Sequence, residues 1–187
     1  MKQLITALVL VLGFTQMSFA KEVAGVQIPD SLKAGDSQLA LNGAGIRTKL
    51  FMDIYVGGLY LQAAANDANA IIVADEPMAL KLHMVSGLIT SEKMTNATTE
   101  GFENATDGNV KSIQTEINAF MDVFKEEIQE NDIFDIVYLP GKGVEVYKNG
   151  KLKDTIESNM EFKKALFGIW LSENPAHEGL KESMLGS

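Results

Sequence analysis

The amino-acid sequence predicts an α+β protein, with a largely antiparallel sheet and helices packed on one of its faces. Three observations predict this class. Strand-like segments come first, two helices follow, and hairpin strands and a long helix come last. One strand is apolar on both faces, and Asn149-Gly150 between two strand-like segments is a strong hairpin signal. Segregated elements are typical of α+β proteins, because strands of a parallel sheet alternate with helices.

The first part of the chain after residue 20 reads mainly as strands. Gly25–Leu32 contains a proline and suits an edge strand, and Gln38–Leu41 reads as a strand that ends at the turn signal Asn42-Gly43. Leu50–Leu61 is apolar at both alternating sets of positions, which predicts a strand in the middle of the sheet. Gly57-Gly58 inside that strand indicates a bulge or a close approach of another backbone.

The middle of the chain carries the predicted helices. Asp67–Ala74 has room for one or two helical turns, and Ala79–Val85 alternates as a half-exposed strand. A helix is expected to begin at Ser91 and to end near Asn104. Asn109–Glu130 gives the clearest helical pattern, because its apolar residues follow the 3-4 spacing of one buried stripe.

The last third predicts a hairpin followed by two helices. Ile133–Leu139 and Val144–Lys148 read as strands, and Asn149-Gly150 predicts a tight turn to a further strand. Met160–Leu171 is expected to form a long helix, and a short helix is expected between residues 175 and 186. Neither an internal repeat nor a low-complexity linker interrupts residues 21–187, so we expect one domain.

Residues 1–20 have the pattern of a secretory signal peptide. Lys2 precedes an apolar block, Leu4–Phe14, and Ser18-Phe19-Ala20 has the small-x-small pattern that signal peptidase cuts. The apolar block is shorter than the about 20 residues of a membrane-spanning helix. We therefore expect a periplasmic protein that begins at Lys21 and has no membrane span.

Composition excludes several classes of function. The chain has no cysteine, which excludes disulfides, thiolate metal sites and a lipid anchor on cysteine. The net charge is −9, and without Lys2 it becomes −10, because 15 basic residues then face 25 acidic ones. Such acidity argues against nucleic acid and against anionic membrane surfaces as partners.

Motifs for cofactor, metal and triad chemistry are weak or missing. Gly43-Ala44-Gly45 resembles the start of a dinucleotide fingerprint, but Thr48 stands at the third glycine position and no helix pattern follows. His83 and His177 lie far apart without metal-ligand spacing, and the sequence has no Gly-x-Ser-x-Gly motif. We therefore predict no cofactor and no metal site.

Arg47 is the candidate that remains. It is the only arginine of the chain, and it lies between Ile46 and the apolar pair Leu50-Phe51. A guanidinium that loses water on packing needs an anion to bind it. The residues leave two alternatives open: an internal salt bridge, for example with Asp53, or an anionic ligand.

Five segments resemble the chalcone isomerase-like superfamily, and specifically its exported bacterial branch. They are Gly43–Arg47, Asp53–Leu61, Ser91-Glu92-Lys93, Phe120–Phe124 and Phe162–Leu171. The resemblance covers nearly all of residues 21–187. It implies an open-faced β-sandwich, in which a large antiparallel sheet carries a helical layer on one face.

The resemblance also implies site residues. Plant members close a chalcone into a flavanone, and the arginine that meets the substrate oxyanion in them falls on Arg47. Their threonine, tyrosine, asparagine and late serine or threonine fall on Tyr55, Thr90, Ala97 and Gly168. Most of these polar groups are therefore replaced here, whereas the charge is kept. This pattern favours binding over turnover.

Other relatives hold fatty acids, gripping the carboxylate with the same arginine and a tyrosine. By resemblance, Arg47 and Tyr55 would form that grip, with walls from Phe51, Leu59, Met84, Phe124 and Trp170. The expected partner is a small apolar carboxylate or a phenolic ligand. An intramolecular lyase of chalcone isomerase type and a structural or partner-binding envelope protein remain alternatives. A shared site needs a bend or a reversal of the chain between Thr48 and Met52, because eight residues of straight strand would span roughly 26 Å.

Overall fold

The computed structural model describes residues 20–186, so the predicted signal peptide lies outside the described residues except for Ala20. Within residues 20–186, no helix is long and apolar enough to cross a membrane. The elements in chain order are β1 (Lys21–Val23), β2 (Val26–Ile28), β3 (Ser31–Ala34), β4 (Ser37–Lys49), β5 (Met52–Leu61), α1 (Ala68–Val73), β6 (Met78–Met84), α2 (Ser91–Ala105), α3 (Gln114–Asp122), β7 (Ile133–Leu139), β8 (Gly143–Lys148), β9 (Lys151–Ile156), α4 (Met160–Leu171) and α5 (Glu178–Met184).

Seven strands form one antiparallel sheet in the order β3-β4-β5-β6-β7-β8-β9, and β1 pairs with β2 in a separate hairpin. Each strand of the large sheet is therefore bonded to its neighbour along the chain. The predicted α+β class and the largely antiparallel sheet are confirmed. The hairpin turn at Asn149-Gly150 is also present, with positive φ at both residues.

Both faces of β5 are covered, as its sequence predicts. Tyr55 and Leu59 pack into the large core between the sheet and the helices. Val56 and Tyr60 pack into a smaller core on the opposite face, which the β1–β2 hairpin covers with Val26 and Ile28. The Tyr60 hydroxyl donates a hydrogen bond to the Pro29 carbonyl at 2.9 Å. The interior position of β5 explains why its sequence is apolar throughout.

The same second face is more polar where it continues over β6, β7 and β8. Lys81 of β6 forms an ion pair with Asp135, which lies directly opposite it on β7. Glu145 of β8 is buried, and it binds Lys142 and accepts a hydrogen bond from the Tyr147 hydroxyl. The helical layer lies on the other face, which gives the open-faced arrangement.

The predicted turn at Asn42-Gly43 is wrong, because β4 runs through these residues to Lys49. Asn42 lies at a register shift in the pairing with β5. Its side-chain amide donates to the carbonyls of Ala65 and Met184, each at 2.8 Å, and its oxygen accepts from the Ala65 amide. The asparagine therefore anchors two distant segments, and these tertiary bonds override the local turn signal.

The chain instead reverses at Leu50-Phe51, so the strand predicted to begin at Leu50 begins at Met52. Both turn residues have positive φ, 51° and 64°. Two-residue hairpin turns of this kind usually contain Asn-Gly, so an apolar pair gives no turn signal in the sequence. The bend or reversal predicted between Thr48 and Met52 is confirmed.

The predicted helix Asn109–Glu130 is too long. A short 3-10 turn precedes α3, another follows it at Val123–Lys125, and the backbone is extended at Glu126. Acidic residues at 126, 127 and 130 would lie at the negative end of a helix dipole, which disfavours its continuation. The apolar stripe is still buried, as at Phe120 and Phe124.

Helix α5 packs directly on glycines of β4 and β5. A Cβ atom on Gly43 would lie 2.2 Å from the Ser183 carbonyl oxygen, and one on Gly57 would lie 2.6 Å from Met184 Cε. The bulge or close backbone approach predicted at Gly57-Gly58 is wrong, because both residues pair regularly with β4 and β6 and Gly57 faces the side chains of Leu180 and Met184. The close backbone approach occurs at Gly43 instead.

Candidate functional site

The β4–β5 hairpin places Arg47 directly opposite Tyr55. The two residues are register partners, and the Arg47 Cζ atom lies 5.6 Å from the centre of the Tyr55 ring. Beyond this pair the register shifts, so that Thr48 pairs with Asp53 and Ile54 is the extra residue. The hairpin and its bulge thus bring together two residues that a straight strand would separate.

Tyr55 is held at its hydroxyl end by Trp170 of α4. The Trp170 indole Nε1–H donates a hydrogen bond of 2.7 Å to the Tyr55 hydroxyl oxygen. Burial raises the pKa of Tyr55, and the nearby Arg47 charge and the Trp170 hydrogen bond offset this only in part. The phenol therefore stays neutral, and its O–H hydrogen can be donated to an anion.

Arg47 lacks the internal partner that one alternative required. Its Nε atom is buried, and within residues 20–186 it has no hydrogen-bond partner. Nor does any carboxylate of that part of the chain form a salt bridge with Arg47, and Asp53 is exposed. An unsatisfied buried donor costs about 1–3 kcal/mol, more when it is charged. An anion bound from outside would remove that cost.

Two spaces meet at Arg47, and we call them the outer cleft and the inner void. The outer cleft has a volume of about 350 Å³. Its lining residues are Arg47, Lys49, Leu50, Met52, Ile54, Leu88, Ile89, Lys93, Asn96, Ala97 and Glu100. The inner void has only about 20 Å³. Its lining residues are Arg47, Tyr55, Leu82, Met94, Ala97, Thr98, Phe120, Phe124, Ile169, Trp170 and Ala176.

The sequence model of the family described as chalcone isomerase-like matches residues 20–186. The chain belongs to the chalcone isomerase-like family. The structure of this chalcone isomerase-like protein is similar to the crystal structure of a fatty-acid binding protein from Arabidopsis thaliana. The TM-score is 0.69 and the sequence identity 22%, over 86% of this chain and 92% of that chain. At this identity the likeness shows the fold. No curated protein matches the sequence.

The positions implied by the chalcone isomerase-like resemblance are only partly brought together. Arg47 and Ala97 line both the outer cleft and the inner void, and Tyr55 lines the inner void. Thr90 is exposed and caps α2, where its hydroxyl oxygen accepts from an amide of the first turn. Gly168 faces Ala105 and lines a separate pocket. Thr90 and Gly168 therefore lie outside the linings at Arg47.

Only two of the five residues proposed as walls of the site lie at the spaces next to Arg47. Phe124 and Trp170 line the inner void, as the resemblance implies. Leu59 and Met84 are fully buried in the core but line neither space. Phe51 is fully exposed on the hairpin turn, because the chain reverses there, so its predicted place in the strand is wrong.

Further residues of α2 and of the loop before it line the site, although the sequence does not predict them as site residues. Thr98 is buried and lines the inner void, and Lys93 and Glu100 line the outer cleft. A signal for Thr98 exists in the sequence, because it falls on the same helical stripe as Met94 and Phe102, which are buried. A polar residue on a buried stripe indicates either a hydrogen bond or a cavity.

His177 has a positioning role at this end of the sheet. Its Nδ1 atom accepts a hydrogen bond from the Leu180 amide at 3.1 Å, so Nε2 carries the proton of the neutral ring. Nε2 lies 3.2 Å from Thr48 Oγ1 and can donate to it. The histidine thus joins the start of α5 to the residue next to Arg47. Within residues 20–186 no cluster of three metal-ligating side chains occurs.

Proposed function

We propose that this protein binds a small apolar acid such as a fatty acid without catalysing a reaction, and that it works in the periplasm. The observation that carries the proposal is the buried Nε of Arg47, which has no hydrogen-bond partner within residues 20–186, on a guanidinium next to the ring of Tyr55. The Tyr55 hydroxyl accepts from Trp170 and keeps its own hydrogen for a ligand. A carboxylate accepts hydrogen bonds from both donors, and its charge is opposite to that of the guanidinium. A neutral ligand would leave the charge uncompensated.

The tail of the ligand would lie in the outer cleft. The inner void, at about 20 Å³, has room for about one water molecule and is too small for an alkyl chain. The outer cleft, at about 350 Å³, is in the range of small-molecule sites and offers apolar walls at Met52, Ile54, Leu88 and Ile89. The carboxylate at Arg47 and the chain along these walls would then fit one elongated apolar acid.

Two further facts support binding rather than isomerisation. A neighbour in structure carries the name of a fatty-acid binding protein. In addition, Ala97 stands at the mouth of the inner void where the resemblance implies an asparagine in the enzymes, so a donor for orienting a reacting phenolate is replaced by a methyl group.

Replacing Arg47 by methionine tests the proposal. We expect the affinity for oleate, measured by calorimetry, to fall by about 100-fold or more, because the variant loses a charge-assisted hydrogen-bond pair. The melting temperature of the ligand-free protein should stay equal or rise, because the variant removes an unsatisfied buried donor. Native mass spectrometry of the unaltered protein from its host should show a bound acyl chain.

The matched control is Lys49→Met, which removes an exposed cation from the same cleft. Its affinity for oleate should change less than about threefold, because exposed charges contribute little. If Arg47→Met destabilises the ligand-free protein and leaves oleate binding unchanged, the arginine is structural and the proposal fails. If Arg47→Lys binds as well as the unaltered protein, charge alone is enough and the two-donor geometry is not required.

Tyr55→Phe should lower oleate affinity by about 10-fold or more, because it removes one hydrogen bond to a charged group. The matched control is Tyr60→Phe on the same strand, whose hydroxyl bonds to the Pro29 carbonyl in the opposite core. Each variant loses a buried hydrogen bond, so both should lower stability, but only Tyr55→Phe should weaken binding. Equal affinities for the two variants would exclude Tyr55 from the site.

A further inference from the structure

The tip of the β4–β5 hairpin exposes an unusual set of apolar side chains. Phe51 is fully exposed, and Leu50 and Met52 are 78% and 40% exposed. Leu88, from the loop before α2, is 53% exposed and lines the outer cleft together with Leu50 and Met52. We call these four residues the apolar tip. The tip forms one edge of the cleft, so an apolar surface continues from the outside of the protein to Arg47.

The backbone of the tip is strained as well as exposed. Leu50 and Phe51 both occupy the left-handed region, where bulky side chains are genuine outliers. An Asn-Gly pair would make the same turn without that strain. The hairpin therefore carries two unfavourable features, backbone strain and exposed apolar area. Such a combination indicates a function at the tip.

The size of the tip limits what it can bind. Four partly exposed side chains present on the order of 500 Å² of apolar surface. A standard protein–protein interface has about 20–30 residues on each side, so the four residues of the tip alone are too few for a second copy or a tightly bound protein. Shallow insertion into the boundary between lipid headgroups and acyl chains scales instead with the apolar area that is buried, which the exposed side chains of one turn can supply.

We propose that the apolar tip inserts into the surface of a lipid bilayer, so that the outer cleft next to it faces the bilayer. The charges around the tip have both signs, with Lys49 and Lys93 against Asp53 and Glu100, and the chain as a whole is acidic. Insertion is therefore driven by the apolar side chains, without attraction to anionic headgroups. The consequence for the ligand rests on the proposed function: an apolar acid passes between bilayer and cleft without crossing water.

Vesicle flotation tests the insertion. The protein is purified as its host produces it, and its mass establishes whether residues 1–20 remain. We expect it to float with phosphatidylcholine vesicles, and to a lesser extent with 3:1 phosphatidylethanolamine–phosphatidylglycerol vesicles, whose negative surface repels the acidic chain. The double substitution Leu50→Asn and Phe51→Gly should lower the partition coefficient by about 30-fold. Because this pair suits the turn, its melting temperature should stay equal or rise.

Two controls make the result specific. Leu152→Asn removes an exposed leucine from β9, at the far edge of the sheet, and should leave flotation unchanged. Phe51→Trp places a fluorophore at the tip, and its emission should shift to the blue when vesicles are added. Trp170 is buried and would contribute a constant background.

Several outcomes would overturn the docking proposal. They are failure of the unaltered protein to float, flotation that survives the double substitution, and a dimer held by the tip in place of vesicle binding. The two proposals fail separately. Flotation that persists in Arg47→Met, together with unchanged oleate binding, would reject the ligand site alone, whereas an unaltered protein that binds oleate but does not float would reject the docking surface alone.

Discussion

Replacing Lys163 by methionine is expected to lower the free energy of unfolding by about 3–5 kcal/mol. Lys163 of α4 is fully buried, and its ammonium donates to the carbonyls of Ile71, Ile72 and Ala74 at 3.0, 2.7 and 2.8 Å. These carbonyls end α1, where a helix has acceptors without partners. Methionine fills similar space but donates nothing, so two buried acceptors and one part-buried acceptor would lose this donor.

The charge of this lysine contributes to the same effect. Burial lowers the pKa of Lys163 to about 8, which still leaves the amine protonated at neutral pH. The negative end of the α1 dipole favours the ammonium, and the rings of Tyr138 and Phe167 lie 5.4 and 5.8 Å from Nζ. The Lys163 side chain therefore holds α4 against the end of α1 and has a structural role rather than a reactive one.

Urea denaturation at pH 7 measures the loss, and Lys164→Met is the matched control. Lys164 is the next residue of α4 and is exposed, so its replacement should change the free energy of unfolding by less than about 0.5 kcal/mol. The substitution at 163 should also increase hydrogen exchange in α1. A loss below about 1 kcal/mol at 163 would show that the carbonyls find water or other donors.

The sequence predicts the class of this fold well, because the large elements have strong periodic patterns. The apolar run that became β5, the Asn149-Gly150 turn and the helix Met160–Leu171 all follow from local chemistry. Lys163 does not, since its partners lie about 90 positions away and nothing near it marks it as buried. Asn42 fails for the same reason, because its partners are distant in sequence.

The sequence predicts the charged residue of the site but not the full set of residues that line it. Arg47 stands out as the only arginine of the chain, close to an apolar pair, and in the structure it lies opposite Tyr55, the residue that the resemblance joins to it. The set of lining residues depends on the reversal at Leu50-Phe51, whose sequence has none of the usual turn residues. It also depends on where α2 packs against the sheet. For that reason the sequence does not predict Thr98 and Lys93 as lining residues. Thr90, which the resemblance implies, lies at a helix cap rather than at the cleft.

Gly43→Ala is expected to lower the free energy of unfolding by about 2–4 kcal/mol and to loosen α5. The added Cβ would lie 2.2 Å from the Ser183 carbonyl oxygen and 2.6 Å from that of Met184. Both are backbone atoms, so no side-chain rotation relieves the overlap, and the helix has to move away from the sheet. Leu180 and Met184, which are almost fully buried, would then lose part of their packing.

Urea denaturation and hydrogen exchange of Glu178–Met184 measure this effect, with Gly87→Ala as the control. A Cβ on Gly87 meets no atom within 4 Å and its φ is not in the left-handed region, so that variant should match the unaltered protein. Because His177 joins the start of α5 to Thr48 beside Arg47, a displaced helix should also weaken oleate binding. Unchanged exchange and stability in Gly43→Ala would mean that α5 does not depend on this contact, and the helix could then not position the end of β4.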